Sequence, residues 1–241
     1  MINRRTFIGQ GAALGLALGS HGANARWSGP ITWIFGFDGS ASVKDADFAA
    51  YKRVAVASLL PLVQAGGDTV VFRRLEDPES VKTFTFGDAL TRHAAEIEQV
   101  ARHVLDLAKR QRGGSTLFIP ATDFLVDQVA MHQSSGGRRR RRFVLALISD
   151  GEPDDSQKQL GAAKRVDPEA DWLVLALGLY EKNRQRLQKV LAAAGLDDVR
   201  RQLVVPLQHL DSMLPTALPK ALDRTPDERL RTHLAHLMAR S

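Results

Sequence analysis

The chain contains no cysteine among its 241 residues. That excludes a disulfide framework, a zinc-thiolate site, a thiol nucleophile and a lipid-bearing bacterial cysteine. There is no P-loop, no zinc-binding motif, no Ser-His-Asp order around a nucleophile elbow, and no internal repeat. A strong charge imbalance is also lacking: the net +6 is a mild excess and gives no reason to expect a nucleic-acid partner. The apolar stretch from Ile8 to Gly19 is too short to cross a bilayer, which takes roughly 20 residues. What remains is the composition of a globular protein with a real core, 44% hydrophobic and 25% charged. The length suits one large domain, or one domain with a tail.

The first residues read as an export signal. Arg4 and Arg5 form a charged head, residues 8–19 a short apolar core, and Ala23-Asn24-Ala25 a small-x-small cleavage site. Paired arginines followed by x-Phe-Ile, with a weakly hydrophobic Gly- and Ala-rich core, resemble the twin-arginine signal of bacteria. Cleavage is expected after Ala25 and would remove two of the positive charges. The expected location is periplasmic or extracellular, with tethering to the inner membrane if the signal is not cut. The expected division is therefore a signal over 1–25, a domain over 30–222 and a helical tail over 223–241.

Within the domain, apolar strands alternate with helix-period segments. Strands are expected over 31–37, 68–73, 81–86, 143–149, 172–179 and 202–206. Helices are expected over 45–63, 91–110, 118–132, 156–166 and 183–194, with a segment over 211–222 interrupted by Pro215 and Pro219. A turn at 77–80 is too short for a crossover, so the second and third strands must pair antiparallel. The pattern predicts a doubly wound α/β fold, a mostly parallel six-stranded sheet with one antiparallel edge strand and helices on both faces. In the tail, Thr225-Pro226-Asp227-Glu228 starts a helix. Its Leu230, Leu234, Leu237 and Met238 share one face, expected to dock on this domain.

The stretch around which this pattern is organised is Asp38-Gly39-Ser40-Ala41-Ser42, where the first strand ends. A carboxylate and two hydroxyls on alternate residues can aim at one point, the oxygen-only convergence that hard cations require. The other strongly apolar strand also ends on a carboxylate, Asp150. If the two strands are neighbours, Asp38 and Asp150 meet at the carboxyl rim of the sheet, where open α/β folds bind ligands. Two bare carboxylates about 4 Å apart repel by roughly 1 kcal/mol even in water, and a divalent cation reverses the sign. The Gly113-Gly114-Ser115-Thr116 turn can bring Thr116 to the same rim.

Asp38-x-Ser40-x-Ser42, Thr116 after its Gly-Gly turn, and Ser149-Asp150-Gly151 closing an apolar strand together resemble the von Willebrand factor A domain superfamily. They match its complete five-residue metal-ion-dependent adhesion site in order. The resemblance covers about residues 30–222. It implies Mg²⁺ (or Mn²⁺ or Ca²⁺) held by the hydroxyls of Ser40, Ser42 and Thr116 and, directly or through water, by Asp38 and Asp150. It also implies an open coordination position for an Asp or Glu of a protein partner, and a site coupled to a slide of the last helix. The expected function is an exported, cation-dependent protein-binding module, not an enzyme. The competing class is a metal-dependent phosphoester hydrolase, whose sites want a second carboxylate where this chain has Ser40. Five arginines, Arg138 to Arg142, precede the strand ending at Asp150, so they belong at the opposite pole; they read as a solvated loop or a weak contact for an anionic surface. Asp154 and Asp155 read as a charged helix start or an extension of the acidic rim. His233 and His236, three apart on the tail helix, could share a metal but more simply lie on the surface.

Overall fold

The structure, a computed structural model, describes residues 29–87, 90–110, 114–135 and 140–240. The expected export signal, with Arg4, Arg5 and Ala25, lies outside the described residues.

Six strands form one sheet: β1 (Ile31–Phe37), β2 (Thr69–Arg74), β3 (Asp77–Thr85), β4 (Arg142–Ile148), β5 (Trp172–Leu179) and β6 (Gln202–Pro206). Their order is β3-β2-β1-β4-β5-β6, all parallel except the antiparallel pairing of β2 with β3 at the edge. This is the doubly wound α/β fold expected from the alternation of strands and helices. The two strongly apolar strands, β1 and β4, lie side by side at the centre, with Phe37 opposite Ile148.

A strand buried on both faces divides its side chains between two cores with period two. In β1, Trp33, Phe35 and Phe37 face one cluster and Ile34 the other. In β4, Val144, Ala146 and Ile148 face the first, and Phe143, Leu145 and Leu147 the second. The first cluster is closed by α1 (Asp45–Val54), α2 (Leu90–Leu105), α6 (Leu210–Leu222) and α7 (Glu228–Met238). The second is closed by α3 (Ile119–Ser134) and α5 (Arg184–Ala193), with the short α4 (Gln157–Ala162) beside them.

Several boundaries differ from the sequence expectation. The helix expected over 45–63 is α-helical only to Val54; a π-helical turn follows over Ala55–Leu59 and a 3₁₀ turn over Leu60–Leu62. Pro61 lacks the N–H that would continue the ladder. The stretch 77–80, expected as a turn, is already strand: β3 begins at Asp77, and the chain reverses through Leu75 and Glu76 with a register shift after Arg73. Pro78 is tolerated because β3 is an edge strand. α6 is one continuous helix despite Pro215 and Pro219. Leu210, Leu214, Leu218 and Leu222 are buried along it at a spacing of four, and Pro215 lies on the exposed side. Packing of that stripe outweighs the missing donors. α4 stops at Ala162, short of the expected 166, where the Lys164 N–H turns to Asp123 Oδ1 at 2.9 Å.

The C-terminal helix packs into the main core. Leu230 and Leu234 are buried there, with Leu237 and Met238 against the edge, and the Asp227 N–H donates to Pro61 O. Of the two tail histidines, His233 pairs with Glu98 at 2.7 Å. No described helix is long and apolar enough to cross a membrane.

At the pole opposite the carboxyl rim, the arginines brace the sheet. Arg141 donates to Thr32 Oγ1 (2.9 Å) and Gly67 O (3.0 Å); Arg142 donates to Asp171 Oδ1 (3.0 Å) and Leu222 O (3.1 Å); Arg140 pairs with Asp171 at 3.2 Å. Three of the five are therefore engaged within the molecule, Arg141 and Arg142 through hydrogen bonds and Arg140 through an ion pair; Arg138 and Arg139 lie outside the described residues.

Candidate metal centre

Parallel β1 and β4 place Asp38 and Ser149 side by side where the strand order reverses, β2 leaving to one side of β1 and β4 to the other. The ladder runs one step past the strand, with the Asp38 N–H donating to Ile148 O at 2.9 Å. Asp38 is completely buried. Its Oδ1 accepts from the Ser40 N–H (3.0 Å), a local turn that folds the Ser40–Ser42 segment back over the carboxylate. The Ser40 and Ser42 hydroxyls share a 2.9 Å hydrogen bond.

Thr116 Oγ1 donates to both Asp38 oxygens, at 3.3 and 3.4 Å, across 78 residues of chain. Its position is set by the loop after β4. Asp154 Oδ2 accepts from the Thr116 N–H at 2.8 Å, and the Asp154 N–H donates to Thr116 O at 2.8 Å. Asp155 accepts from the N–H groups of Phe118 (2.9 Å) and Ile119 (3.0 Å). It thereby caps α3, whose preceding residue, Phe118, has no side chain able to do so. Asp154 and Asp155 thus form a clip that holds the Thr116 loop against the end of β4. The acidic run was visible in the sequence, but its partner loop was not.

Ser149 Oγ donates to Asp38 Oδ2 at 2.7 Å and accepts from the Gly151 N–H at 3.0 Å. Asp150 is nearly buried; its Oδ1 accepts from the Glu152 N–H (3.1 Å), and its carbonyl accepts from Tyr180 N and Asn183 Nδ2, each at 3.0 Å. Gly151 makes this turn possible: its φ is +79°, and a Cβ there would lie 1.9 Å from Leu179 Cδ1. A Cβ at Gly39 would instead meet the ends of the Arg74 and Glu76 side chains, at 2.5 and 2.8 Å. The Gly39 N–H donates to Glu76 Oε2 at 3.1 Å. Glu76 is buried and offset by Arg74, whose Nε reaches its Oε1 at 2.6 Å. Glu76 had no sequence signal, because it acts from the turn after β2.

Asp38, Ser40, Ser42 and Thr116 are therefore joined by hydrogen bonds. Asp150 follows Ser149 at the same rim and shares with Ser42 the lining of a cavity of about 530 Å³. Burial pushes the Asp38 carboxyl above the ordinary aspartate value; hydrogen bonds from Ser149 and Ser40 partly oppose this, and the Asp150 charge adds to it. Burial pushes Asp150 up as well. Neither carboxylate has an ion pair with a described residue. Across the cavity Tyr180 donates its hydroxyl to Asp47 Oδ2 at 2.6 Å, which ties the loop after β5 to the first turn of α1. Tyr51 is completely buried in α1, and its hydroxyl finds no hydrogen-bond partner among the described residues. Burial first, then the charges of Asp150, Asp38 and Asp47, push its ionisation up.

Among the described residues no three His, Cys, Asp or Glu side chains cluster as a conventional metal site. The set gathered around Asp38 and Asp150 is two carboxylates and hydroxyls. Oxygen donors of that kind suit Mg²⁺, Mn²⁺ or Ca²⁺ and do not suit the softer metals that seek thiolate or imidazole. The residues fit such an ion: a carboxylate cut off from water and facing only neutral donors is costly unless it is protonated or balanced by a cation.

No protein-family model matches the sequence, and no curated protein does. Among solved structures, the chain is similar to proximal thread matrix protein 1 of the mussel byssus (TM-score 0.46, 15% identity, 80% of this chain and 48% of that one). It is similar to the manganese-loaded TRAP protein of Plasmodium vivax (TM-score 0.48, 10% identity, 84% and 77%). It is also similar to the SpaC pilus adhesin of Lactobacillus rhamnosus GG in its open conformation (TM-score 0.48, 12% identity, 83% and 30%). The chain spans about half the length of the first and under a third of the last. At these scores and identities nothing about the site is carried over from them.

Proposed function

We propose that the chain is a divalent-cation-dependent protein-binding module. In this reading Asp38, Ser40, Ser42, Thr116 and Asp150 hold Mg²⁺, or Mn²⁺ or Ca²⁺, and an Asp or Glu of a partner completes the shell. The observation that carries the reading is the fully buried Asp38 carboxylate, whose hydrogen-bond partners are all neutral: Ser40 N–H, Thr116 Oγ1 and Ser149 Oγ. The ion, when bound, supplies a positive attachment point for a carboxylate. Asp38 and Asp150 supply the negative charge, and Ser40, Ser42 and Thr116 supply neutral oxygens. The Asp154–Asp155 clip and Glu76 keep the loops at fixed separation. The proposal is binding and not catalysis.

Calorimetry of the full chain with Mn²⁺ and with Mg²⁺ tests this. One site per chain is expected, with affinity reduced about tenfold or more by Thr116→Ala and by Asp150→Ala. Generic phosphoesters should not be turned over. Unchanged metal affinity in both variants, or metal-dependent turnover, would sink the reading.

The reading places the module outside the cytoplasm, supported by the signal-like first 25 residues. Fractionation of cells expressing the chain should find it exported, and Arg4→Lys with Arg5→Lys should block export. Export unaffected by the double change would remove the twin-arginine route.

A further inference from the structure

Close to the oxygen donors, one buried polar group is left without a role. Tyr51 lies in α1, one turn after Asp47, and is completely buried. Its ring packs edge-on against Phe37, the last residue of β1, with centroids 6.3 Å apart. It also lies against β5 at Gly178, where a Cβ would meet Tyr51 Cε1 at 2.4 Å. Gly178 has a φ of +91°, so the residue that leaves this space to the ring also suits the backbone there. The side chain thus reaches from β1 to β5 across the end of β4, the strand between them, which leads into Ser149 and Asp150. Phenylalanine would make every one of these ring contacts. The hydroxyl is what the core does not account for: it is buried and has no hydrogen-bond partner among the described residues. Such groups are rare, because each gives up its hydration without return. The charges that reach this hydroxyl are those of the rim, Asp150 ahead of Asp38 and Asp47, and together with burial they keep it protonated. It is therefore able both to accept and to donate a hydrogen bond.

We infer that Tyr51 is a positioning residue of the cation site: its hydroxyl accepts a hydrogen bond from a water of the bound ion's shell, and is unpaired only in the metal-free chain. This rests on the cation reading above and adds a residue outside the five oxygen donors. Mg²⁺ usually keeps several of its waters, and a water polarised by a divalent charge is a strong donor. Of the two carboxylates Asp150 is the less braced. Asp38 accepts from Ser40, Thr116 and Ser149, whereas the Asp150 carboxylate accepts from the Glu152 N–H. Support from the core side, next to Asp150, is what the Tyr51 hydroxyl adds. Groups that act on a metal through its ligands change its affinity by about 10- to 100-fold.

The test compares Tyr51→Phe with the unaltered full chain. Calorimetric Mg²⁺ and Mn²⁺ affinity should fall about tenfold in the variant. In EDTA the variant should melt no lower than the unaltered chain, because the hydroxyl it loses has no partner there. A hydroxyl with a purely structural partner would lower that melt. The chain has two tyrosines, Tyr51 and Tyr180. Mg²⁺ should therefore perturb the tyrosine ultraviolet band of the unaltered chain and of Tyr180→Phe, and Tyr51→Phe should lose that perturbation. Metal affinity within about 2-fold of the unaltered chain, a lower melt in EDTA, or a perturbation that Tyr51→Phe retains would each overturn the inference while metal binding stands. Absence of Mg²⁺ and Mn²⁺ binding in the unaltered chain would overturn the cation reading and this inference together.

Discussion

Asp38→Asn is expected to abolish divalent-cation binding and, in EDTA, to make the chain more stable. The two effects have one cause. Asparagine keeps the shape and much of the hydrogen bonding: its oxygen can still accept from Ser40 N–H and Thr116 Oγ1, and its amide can donate to Ser149 Oγ. It removes one of the two carboxylate charges at the site, so Mn²⁺ affinity should fall about 100-fold or more. It also removes a charge that burial disfavours, which should stabilise the metal-free chain at pH 8 by ~1–2 kcal/mol, or about 2–4 °C per kcal/mol in Tm. The pH dependence follows from the raised carboxyl. Below the unfolded value of 3.8 the group is protonated in both states and costs nothing. As pH rises through the higher folded-state value, the unfolded chain releases its proton first and stability is lost. Asp150, itself pushed up by burial, is the charged group that adds to this loss. The gap between Asp38→Asn and the unaltered chain should therefore be near zero around pH 4 and widen toward pH 8. Thermal melts in EDTA across that range measure it. A variant that melts lower than the unaltered chain at pH 8, or that still binds Mn²⁺, would contradict the account.

Arg224→Ala should cost about 3–5 kcal/mol, the usual loss when one member of a buried ion pair is removed. Arg224 and Asp68 are both buried, and the guanidinium is bound to both Asp68 oxygens, to Leu62 O (3.1 Å) and to Gly29 O (2.6 Å). Asp68 also accepts from Ile31 N–H (2.8 Å), Trp33 Nε1 (3.0 Å) and Gln64 N–H (3.0 Å). One carboxylate thus gathers the start of β1, the loop before β2 and the residue after the C-cap of α6. Removing the arginine leaves that carboxylate buried among neutral donors. β1 is consequently held at both ends, by this cluster where it begins and by the Asp38 hydrogen bonds where it stops. Chemical denaturation should show the loss, with Arg231→Ala, an exposed pair with Glu228, as a control within ~0.5 kcal/mol. Equal effects from the two substitutions would mean that the cluster contributes nothing special.

Signals of short range survived into the structure, and signals whose meaning depends on a distant partner did not. Continuous apolar strands at 31–37 and 143–149, separated by helix-period segments, could be buried only as the centre of a covered parallel sheet. The single short connection could make only an antiparallel edge. Asp38, Ser40 and Ser42 sit within one turn, so their convergence is local and readable.

Elsewhere the same letters carried two meanings. Asp154 and Asp155 look like any acidic helix start until Thr116, Phe118 and Ile119 arrive from almost 40 residues away. Glu76 is an unremarked turn residue until Gly39 is folded onto it. Pro215 and Pro219 weigh against a helix on propensity, yet a buried leucine stripe keeps α6 intact. By itself, then, the sequence determined which segments had to be buried and where a carboxylate would end each central strand, because periodicity and chain reversal act over a few residues. The tertiary structure alone decided which loops clasp one another around Asp38 and which arginines turn inward, because those choices depend on charges and donors that only folding brings within 3 Å.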